Sequence, residues 1–279
     1  MIKKIIGVHV ANKLCNTASR LRNKDIVVSC PNHSGHCTAN VQEDEPIGQE
    51  NKWNETVAKQ ITQDLDIAYY TGDGDSKGHV GVDKSQNMPV FHLKDLRHLA
   101  NSIKREIYKA SFSKNMLQGH TKSNLKSRFA LSVKARCLGE LKGAHKHYRG
   151  NMFKIKANIP NTIDAIILCF KGYCGVACVK HSFVCRGIHS RAKYFLPQNV
   201  RVKMTETDEI LLYRCINLLL GPENLQKTKL LTSTQKCEAV NRSYQAVTQK
   251  ATTFSRNHRG RIHGQVHKLN HGFANSAHD

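Results

Sequence analysis

Apolar and β-branched residues cluster in several short stretches of the chain that are bounded by polar turns, a pattern typical of strands. Four stretches have this pattern: 2–10, 25–29, 67–71 and 90–93. Between the second and the third, apolar residues from Trp53 to Leu65 recur at helical spacing and predict a helix over 52–66. The first part of the chain therefore predicts a β-β-α-β order.

Helical periodicity dominates the rest of the chain. The predicted helices cover 93–108, 122–141, 206–220 and 233–250. The first two helices carry basic residues away from their apolar stripes, and these residues form a candidate phosphate-binding surface. The candidate nucleic-acid contacts are Arg97, His98, Lys104, Arg105, Lys126 and Arg128. The stripes themselves are more simply core, and the tail from Phe254 onward, rich in Arg, His, Asn and Gly, predicts a loosely ordered basic segment.

Positive charge is the strongest compositional feature. Among 279 residues, 43 are Lys or Arg and 21 are Asp or Glu, which gives a formal net charge of +22. This surplus favours a polyanionic partner, nucleic acid first, since each cation placed on a phosphate releases counterions. A solvated basic surface without a specific partner is the alternative. No apolar run approaches the length of about 20 residues that a membrane span needs.

Two aspartates follow the 67–71 strand on a glycine turn, in the order Gly72-Asp73-Gly74-Asp75-Ser76. Ligands of open α/β sheets collect at the carboxyl ends of strands, and Mg²⁺ or Mn²⁺ prefers carboxylate oxygens. Asp73 and Asp75 are therefore candidate metal ligands. An ordinary turn explains them equally well, and a calcium loop is disfavoured because Lys84 and Ser85 stand where such a loop needs a glutamate.

Cysteine and histidine form two groups with ligand-like spacing. The first contains Cys15, Cys30, His33, His36 and Cys37; the second contains Cys174, Cys178, His181 and Cys185, with Cys169 nearby. The N-terminus lacks a signal-peptide core and cleavage site, so we assign the ten cysteines to a reducing compartment, where this spacing favours zinc over disulfides. Buried free cysteines beside an exposed histidine are the alternative.

Several motifs together resemble one protein family. They are Asn12-Lys13-Leu14-Cys15, the Cys30 to Ala39 run, Gly72 to Ser76, Asp95-Leu96-Arg97-His98-Leu99, and Gln235-Lys236-Cys237-Glu238-Ala239-Val240-Asn241. In this order the motifs resemble the catalytic region of Mutator-like transposases of animal genomes. The resemblance is carried by their succession along the chain more than by any one of them.

The resemblance implies an α/β, ribonuclease-H-like mixed sheet with flanking helices, and a DDE triad that cuts and rejoins DNA with two Mg²⁺ or Mn²⁺ ions. Asp73 or Asp75 would be the second acid and Glu238 the third, with a Cys/His-rich insertion between them. The implied partners are transposon ends and target DNA, which places the protein in the nucleus and leaves a homo-oligomer open. The expected divisions are a partial core over 1–110, the insertion over 111–232, the Glu238 helix over 233–253 and the basic tail over 254–279.

The first acid of the triad has no counterpart in this sequence. It would stand on the first strand of the fold, yet residues 2–10 resemble the third strand and no aspartate precedes Asp25. We therefore expect a truncated chain that lacks two strands and most of its activity. Two other functions stay open: a non-catalytic, zinc-stabilised DNA-binding protein, and a basic, zinc-stabilised RNA-binding protein.

Overall fold

A computed structural model describes residues 5–31, 33, 35–46, 49–72, 78–116, 122–187, 202–248 and 258–272. These residues are mostly helical, with one small sheet of two strands, β1 (Tyr69–Gly72) and β2 (Phe91–Lys94). The strands are parallel, because Phe91 N–H donates to Ala68 and Asp95 N–H, four residues on, donates to Gly72. The helices are α1 (Asn16–Arg22), α2 (Glu50–Ile61), α3 (Gly78–Asp83), α4 (Leu96–Lys109), α5 (Lys122–His147), α6 (Met152–Lys171), α7 (Val176–His181), α8 (Glu206–Leu220), α9 (Pro222–Lys227), α10 (Gln235–Val247) and α11 (His258–His271).

The chain divides into two compact units. One unit contains the described parts of Met1–Tyr70, Asp75–Phe91 and Thr234–Asp279, and the other contains those of Thr71–Gly74 and His92–Ser233. We call the first the N-terminal unit and the second the helical unit. The helical unit holds the larger apolar core, built by α4, α5, α6 and α8.

The core of the helical unit is closely packed around aromatic side chains. Phe129 of α5 is fully buried and meets Phe170 of α6 edge to face, with ring centroids 5.5 Å apart. Ile103 and Ile216 bring α4 and α8 into the same core, and both are fully buried. At α4 the Asp95 carboxylate accepts from His98 N–H at 2.8 Å, an N-cap that fixes where the helix begins.

Most of the helices expected from periodicity are present, with shifted ends. The 206–220 helix is observed as α8, and the helices expected over 52–66, 93–108, 122–141 and 233–250 appear as α2, α4, α5 and α10. Helix α5 runs six residues past its expected end, and α6 was not expected. The strands over 67–71 and 90–93 appear as β1 and β2, each shifted by a residue or two at its ends.

The expected strands over 2–10 and 25–29 are wrong in the parts that the structure describes. Residues 5–10 and 26–29 are neither strand nor helix. The backbone of Ile5 bonds the side-chain amide of Asn270, and the Val10 carbonyl accepts from the Asn40 amide, so side chains take the place of a neighbouring strand. Val27 is 99% exposed, so its β-branched character does not reflect burial.

The remaining differences concern the sheet and the tail. Two strands make up the sheet among the described residues, which is less than the mixed sheet that the family resemblance implied. Helix α11 occupies His258–His271, where we expected a loosely ordered tail, and its Ile262 is buried. Within the described ranges, no helix is long and apolar enough to span a membrane.

Candidate metal centres and basic surface

Four cysteines of the helical unit converge at the end of α6. Cys169 lies in the last turns of α6, Cys174 follows it, Cys178 lies on α7 and Cys185 follows α7, and their sulfur atoms all lie within 4.8 Å of one another. The chain turns back after α6 at Gly172, whose φ of +95° suits glycine. Four sulfurs from a short chain segment match the ligand set of a structural zinc site. We call this set the four-cysteine group.

One member of the four-cysteine group differs from the sequence prediction. Cys169, which we placed only nearby, is one of the four and is fully buried, whereas His181 is not part of the group. His181 is the last residue of α7, and its backbone carbonyl accepts from the Thr162 hydroxyl at 2.8 Å. Spacing along the chain could not show that α6 would bring the Cys169 sulfur close to those of the later three cysteines.

The protonation of the four-cysteine group depends on burial. Burial raises the pKa of the Cys178 thiol to about 11, and burial together with a hydrogen bond to Cys185 raises the pKa of Cys174. Burial acts in the same direction on Cys185, but the Gly187 N–H and the Cys174 thiol stabilise its thiolate and lower its pKa. A divalent cation would bind such a group with release of protons.

A buried ion pair lies against the four-cysteine group. Arg136 and Glu140 stand one turn apart on α5, both side chains are fully buried, and Arg136 Nε donates to Glu140 Oε1 at 2.5 Å. The Arg136 guanidinium also reaches Cys169 and Cys178. We missed this pair, although a signal existed: Arg136 and Glu140 fall on the apolar face of α5 that Val133, Cys137 and Leu141 define.

A second ligand group lies in the N-terminal unit. It consists of Cys15, Cys30, His33 and Cys37, and we call it the cysteine-histidine group. Cys15 Sγ lies 3.1 Å from His33 Nε2 and also accepts from Ala18 N–H, so the sulfur caps α1. His36, which the sequence made a candidate, is exposed and is not part of the group. Three sulfurs and one imidazole nitrogen fit zinc as well as four sulfurs do.

The two chain segments of the cysteine-histidine group are tied together by one buried amide. The Asn12 side chain donates to the carbonyls of Leu14 and Thr38 at 3.1 and 2.9 Å, and the Thr38 hydroxyl donates to Leu14 as well. These bonds place Cys15 beside Cys37, which explains physically why Asn12 belongs to the first motif. Although burial raises the pKa of Cys15, hydrogen bonds from Ala18, Thr38 and His33 lower it to about 5, whereas burial raises the pKa of Cys30 to about 12.

Of the candidate carboxylates of the expected DDE site, the structure describes Glu238. Asp73 and Asp75 lie outside the described residues. Glu238 lies in the first turn of α10, half-buried, with its carboxylate 3.9 Å from the Arg242 guanidinium. In the part of the chain that the structure describes, Glu238 belongs to no cluster of three metal-ligating side chains.

Helices α4 and α5 concentrate positive charge on neighbouring positions. Lys134 of α5 donates to Asn101 Oδ1 of α4 at 2.5 Å, and its pKa is lowered by burial and by the positive charges of Lys104 and Arg97. We call Arg97, Lys104 and Lys134 the basic face. Lys134 was not among the sequence candidates. Its position beside Arg97 and Lys104 depends on the contact between α4 and α5, which the sequence does not show.

The other candidate nucleic-acid contacts have different surroundings. Lys126 donates to the carbonyls of Tyr108 and Ala110 at 2.9 Å each, so it closes the C-terminal end of α4. His98 is half-buried and its backbone N–H is held by the N-cap. Arg105 and Arg128 are exposed, which leaves them accessible to a polyanion.

A basic helical protein with two zinc-compatible ligand groups is the class that these features define. The family model for Mutator-like transposases matches residues 1–185, which is about two thirds of the chain. The chain therefore belongs to the Mutator-like transposase family, as the motifs indicated. No curated protein and no solved structure matches it. The matched region contains both ligand groups and the basic face, whereas Glu238 lies beyond it.

Proposed function

We propose that this protein is a transposase-derived DNA-processing protein whose basic face grips DNA and whose fold is stabilised by two zinc ions. The observation that carries the proposal is the family match over residues 1–185, which contains the basic face. The net charge of +22 supports a polyanionic partner. A nuclear location follows from this function.

Zinc would be bound by the four-cysteine group in the helical unit and by the cysteine-histidine group in the N-terminal unit. Each group supplies four sulfur or nitrogen ligands, the number that closes a tetrahedral site without leaving a position for substrate. The role we propose for zinc is therefore structural. In both groups the metal would join segments that few apolar contacts hold together, since the clusters around them contain four buried residues each.

The basic face supports DNA binding through its electrostatics. Lys134 is held close enough to Lys104 and Arg97 for their charges to lower its pKa. Lys134 is therefore repelled by two neighbouring cations, and a phosphate backbone bound at this face would offset that repulsion. The exposed Arg105 and Arg128 extend the positive charge along the same two helices.

The chemical step of the proposal is cleavage and joining of DNA strands within a ribonuclease-H-like fold, with low activity because this sequence offers candidates for only two of the three acids. Asp73 or Asp75 and Glu238 would hold Mg²⁺ or Mn²⁺, which in such sites stabilises the attacking and leaving oxygens of phosphoryl transfer. The order of these residues along the chain and the family membership support this assignment.

DNA binding is tested by fluorescence anisotropy of a labelled duplex over a range of salt concentrations. The variant Arg97→Gln/Lys104→Gln/Lys134→Gln removes three charges from the basic face, and Lys154→Gln/Lys156→Gln/Lys180→Gln removes three from exposed positions on α6 and α7. We expect the first to flatten the slope of log K against log salt by about 2 to 3 units, following roughly 0.9 per phosphate contact. Equal losses in both variants would contradict a localised basic face.

Cleavage is tested on plasmid and duplex DNA with Mg²⁺ or Mn²⁺. Because this sequence offers candidates for only two of the three acids, we expect weak cleavage at most. Asp73→Asn/Asp75→Asn and Glu238→Gln should abolish it while DNA affinity stays unchanged, and Glu206→Gln, also in the first turn of a helix, should leave both unchanged. DNA binding without cleavage by the unaltered chain would instead support the non-catalytic DNA-binding function. A preference for RNA hairpins over duplex DNA would support the RNA-binding function.

A further inference from the structure

The Arg136 guanidinium is buried directly against two sulfurs of the four-cysteine group. Its side chain is fully buried, Nη1 lies 3.6 Å from Cys169 Sγ, and Nη2 lies 3.9 Å from Cys178 Sγ. Nη2 also donates to the Ser182 hydroxyl at 3.1 Å. A buried charge is costly unless it is paired, so this placement calls for partners of opposite charge.

One of those partners is Glu140, which connects α5 to the backbone just before Cys185. Its carboxylate accepts from Arg136 Nε, from the Ser182 hydroxyl at 2.5 Å and from Phe183 N–H at 2.6 Å. The Ser182 hydroxyl oxygen in turn accepts from Cys185 N–H at 2.7 Å. A continuous set of hydrogen bonds therefore runs from α5 to a proposed metal ligand.

Two glycines of α5 allow this loop to lie directly on the helix. A Cβ on Gly143 would stand 2.4 Å from Phe183 Cβ, and a Cβ on Gly139 would stand 2.9 Å from Val184 Cγ2. Contacts this short do not occur between real side-chain carbons. A larger residue at Gly143 would therefore push the loop away at Phe183, and one at Gly139 would require the Val184 side chain to move. The face of α5 that holds Arg136 and Glu140 is thus shaped to receive residues 182–185.

We propose that Arg136 and Glu140 are outer-shell positioning residues of a zinc site in the four-cysteine group: Arg136 stabilises the thiolates, and Glu140 positions Cys185. The inference rests on the zinc that the proposed function places there. Zn²⁺ with four thiolates carries a net charge of −2, and a guanidinium that donates to two of the sulfurs offsets part of it where water cannot. Outer-shell partners of this kind commonly change metal affinity by about 10- to 100-fold.

A buried ion pair that only fills the core would make a different prediction. Its loss would lower stability whether or not metal is bound, and it would leave the electronic properties of the metal–sulfur bonds unchanged. The inference requires that loss of Arg136 weakens metal binding and alters the thiolate ligands themselves. The test therefore measures both the metal affinity and the thiolate-to-metal charge-transfer band.

The experiment uses the full chain carrying Cys37→Ser, which removes one ligand of the cysteine-histidine group so that the four-cysteine group dominates metal binding. Zinc affinity is measured by competition with a chromophoric chelator, and Co²⁺ replaces zinc to report the thiolate-to-metal charge-transfer band. We expect Arg136→Met to weaken zinc binding about 10- to 100-fold and to shift the band, with partial recovery in Arg136→Lys. Gly143→Ala should weaken binding through the loop alone, and Gly260→Ala, where a Cβ meets nothing within 4 Å, is its control.

Asp208→Asn provides a control for general destabilisation, because Asp208 is buried in the same unit but is not part of the four-cysteine group. It should lower thermal stability and leave the cobalt spectrum unchanged. If Arg136→Met behaves like Asp208→Asn, the inference is overturned while the zinc proposal stands. If the parent chain takes up no metal at the four-cysteine group, both fall, and the DNA-binding measurements judge the rest of the proposed function.

Discussion

Asp208 accepts two hydrogen bonds from Ser113, one from its backbone N–H at 2.7 Å and one from its hydroxyl at 2.6 Å. The same carboxylate accepts from the backbone N–H of Thr205, so a single buried side chain caps α8 and anchors the segment after α4. Ser113 and Asp208 are 95 residues apart in the chain. Their contact helps to fix the position of α8 against α4, on which the core of the helical unit depends.

Replacing Asp208 by Ala should destabilise the protein by about 2 to 4 kcal/mol, since a cap and several hydrogen bonds to a charged group are lost together. Chemical denaturation followed by circular dichroism measures this loss. Glu206→Gln, an exposed change in the same turn, should alter stability by less than about 0.5 kcal/mol. Similar effects for the two variants would contradict the role of the Asp208 contacts.

The same contacts predict a pH dependence. Burial by itself raises the pKa of Asp208, but the hydrogen bonds from Ser113 and Thr205 outweigh burial and lower it below its ordinary value. A lowered carboxyl pKa stabilises the folded state at neutral pH, and this contribution disappears as pH falls below about 4. Asp208→Asn should therefore show a smaller loss of stability than the parent chain between neutral and acidic pH.

The identity of the fourth ligand in the four-cysteine group gives a sharp test of the structure against the sequence pattern. We expect Cys169→Ser to lower the zinc content measured by mass spectrometry from two ions per chain to one, because a closed site loses a ligand. His181→Ala should retain both ions. Cys215→Ser, a buried cysteine outside both groups, controls for loss of a core thiol. The reverse order of effects would restore the assignment made from spacing.

A matching pair of histidines tests the cysteine-histidine group. His33 Nε2 lies 3.1 Å from Cys15 Sγ, whereas His36 is exposed and outside the group. His33→Ala should release one zinc ion and lower the thermal stability of the N-terminal unit, since a structural zinc contributes directly to folding. His36→Ala should do neither. Zinc loss from His36→Ala but not from His33→Ala would contradict the prediction and make His36 the ligand.

Lys134 offers a prediction in which stability and binding change in different directions. Because burial and neighbouring cations lower its pKa, the charged side chain disfavours the folded state. Lys134→Gln should therefore leave thermal stability unchanged or slightly raised while it weakens duplex DNA binding and lowers the salt slope by about 1. Lys154→Gln, exposed on α6, should change neither. A fall in stability together with affinity would point to a structural role for Lys134 instead.

Local patterns predicted five of the helices well and the first strands poorly, for one physical reason. The helix over 206–220 has its capping box and its apolar face in its own sequence, so neighbouring residues determine both ends. Residues 5–10 have strand-like composition, but a strand needs a partner, and the side chains of Asn40 and Asn270 occupy their backbone groups instead. Partners that lie 30 to 265 residues away leave no local signal.

The sequence by itself determined the family, the basic character and most of the candidate metal ligands, because motif order, charge and short ligand spacings are properties of the chain. Tertiary structure alone decided that Cys169, and not His181, lies with the other three cysteines, that Lys134 joins the basic face, and that Arg136 and Glu140 lie behind the four-cysteine group. Each of these depends on which faces of α4, α5 and α6 meet. That choice follows from burial of the whole core, in which long-range packing decides between positions that periodicity alone leaves equivalent.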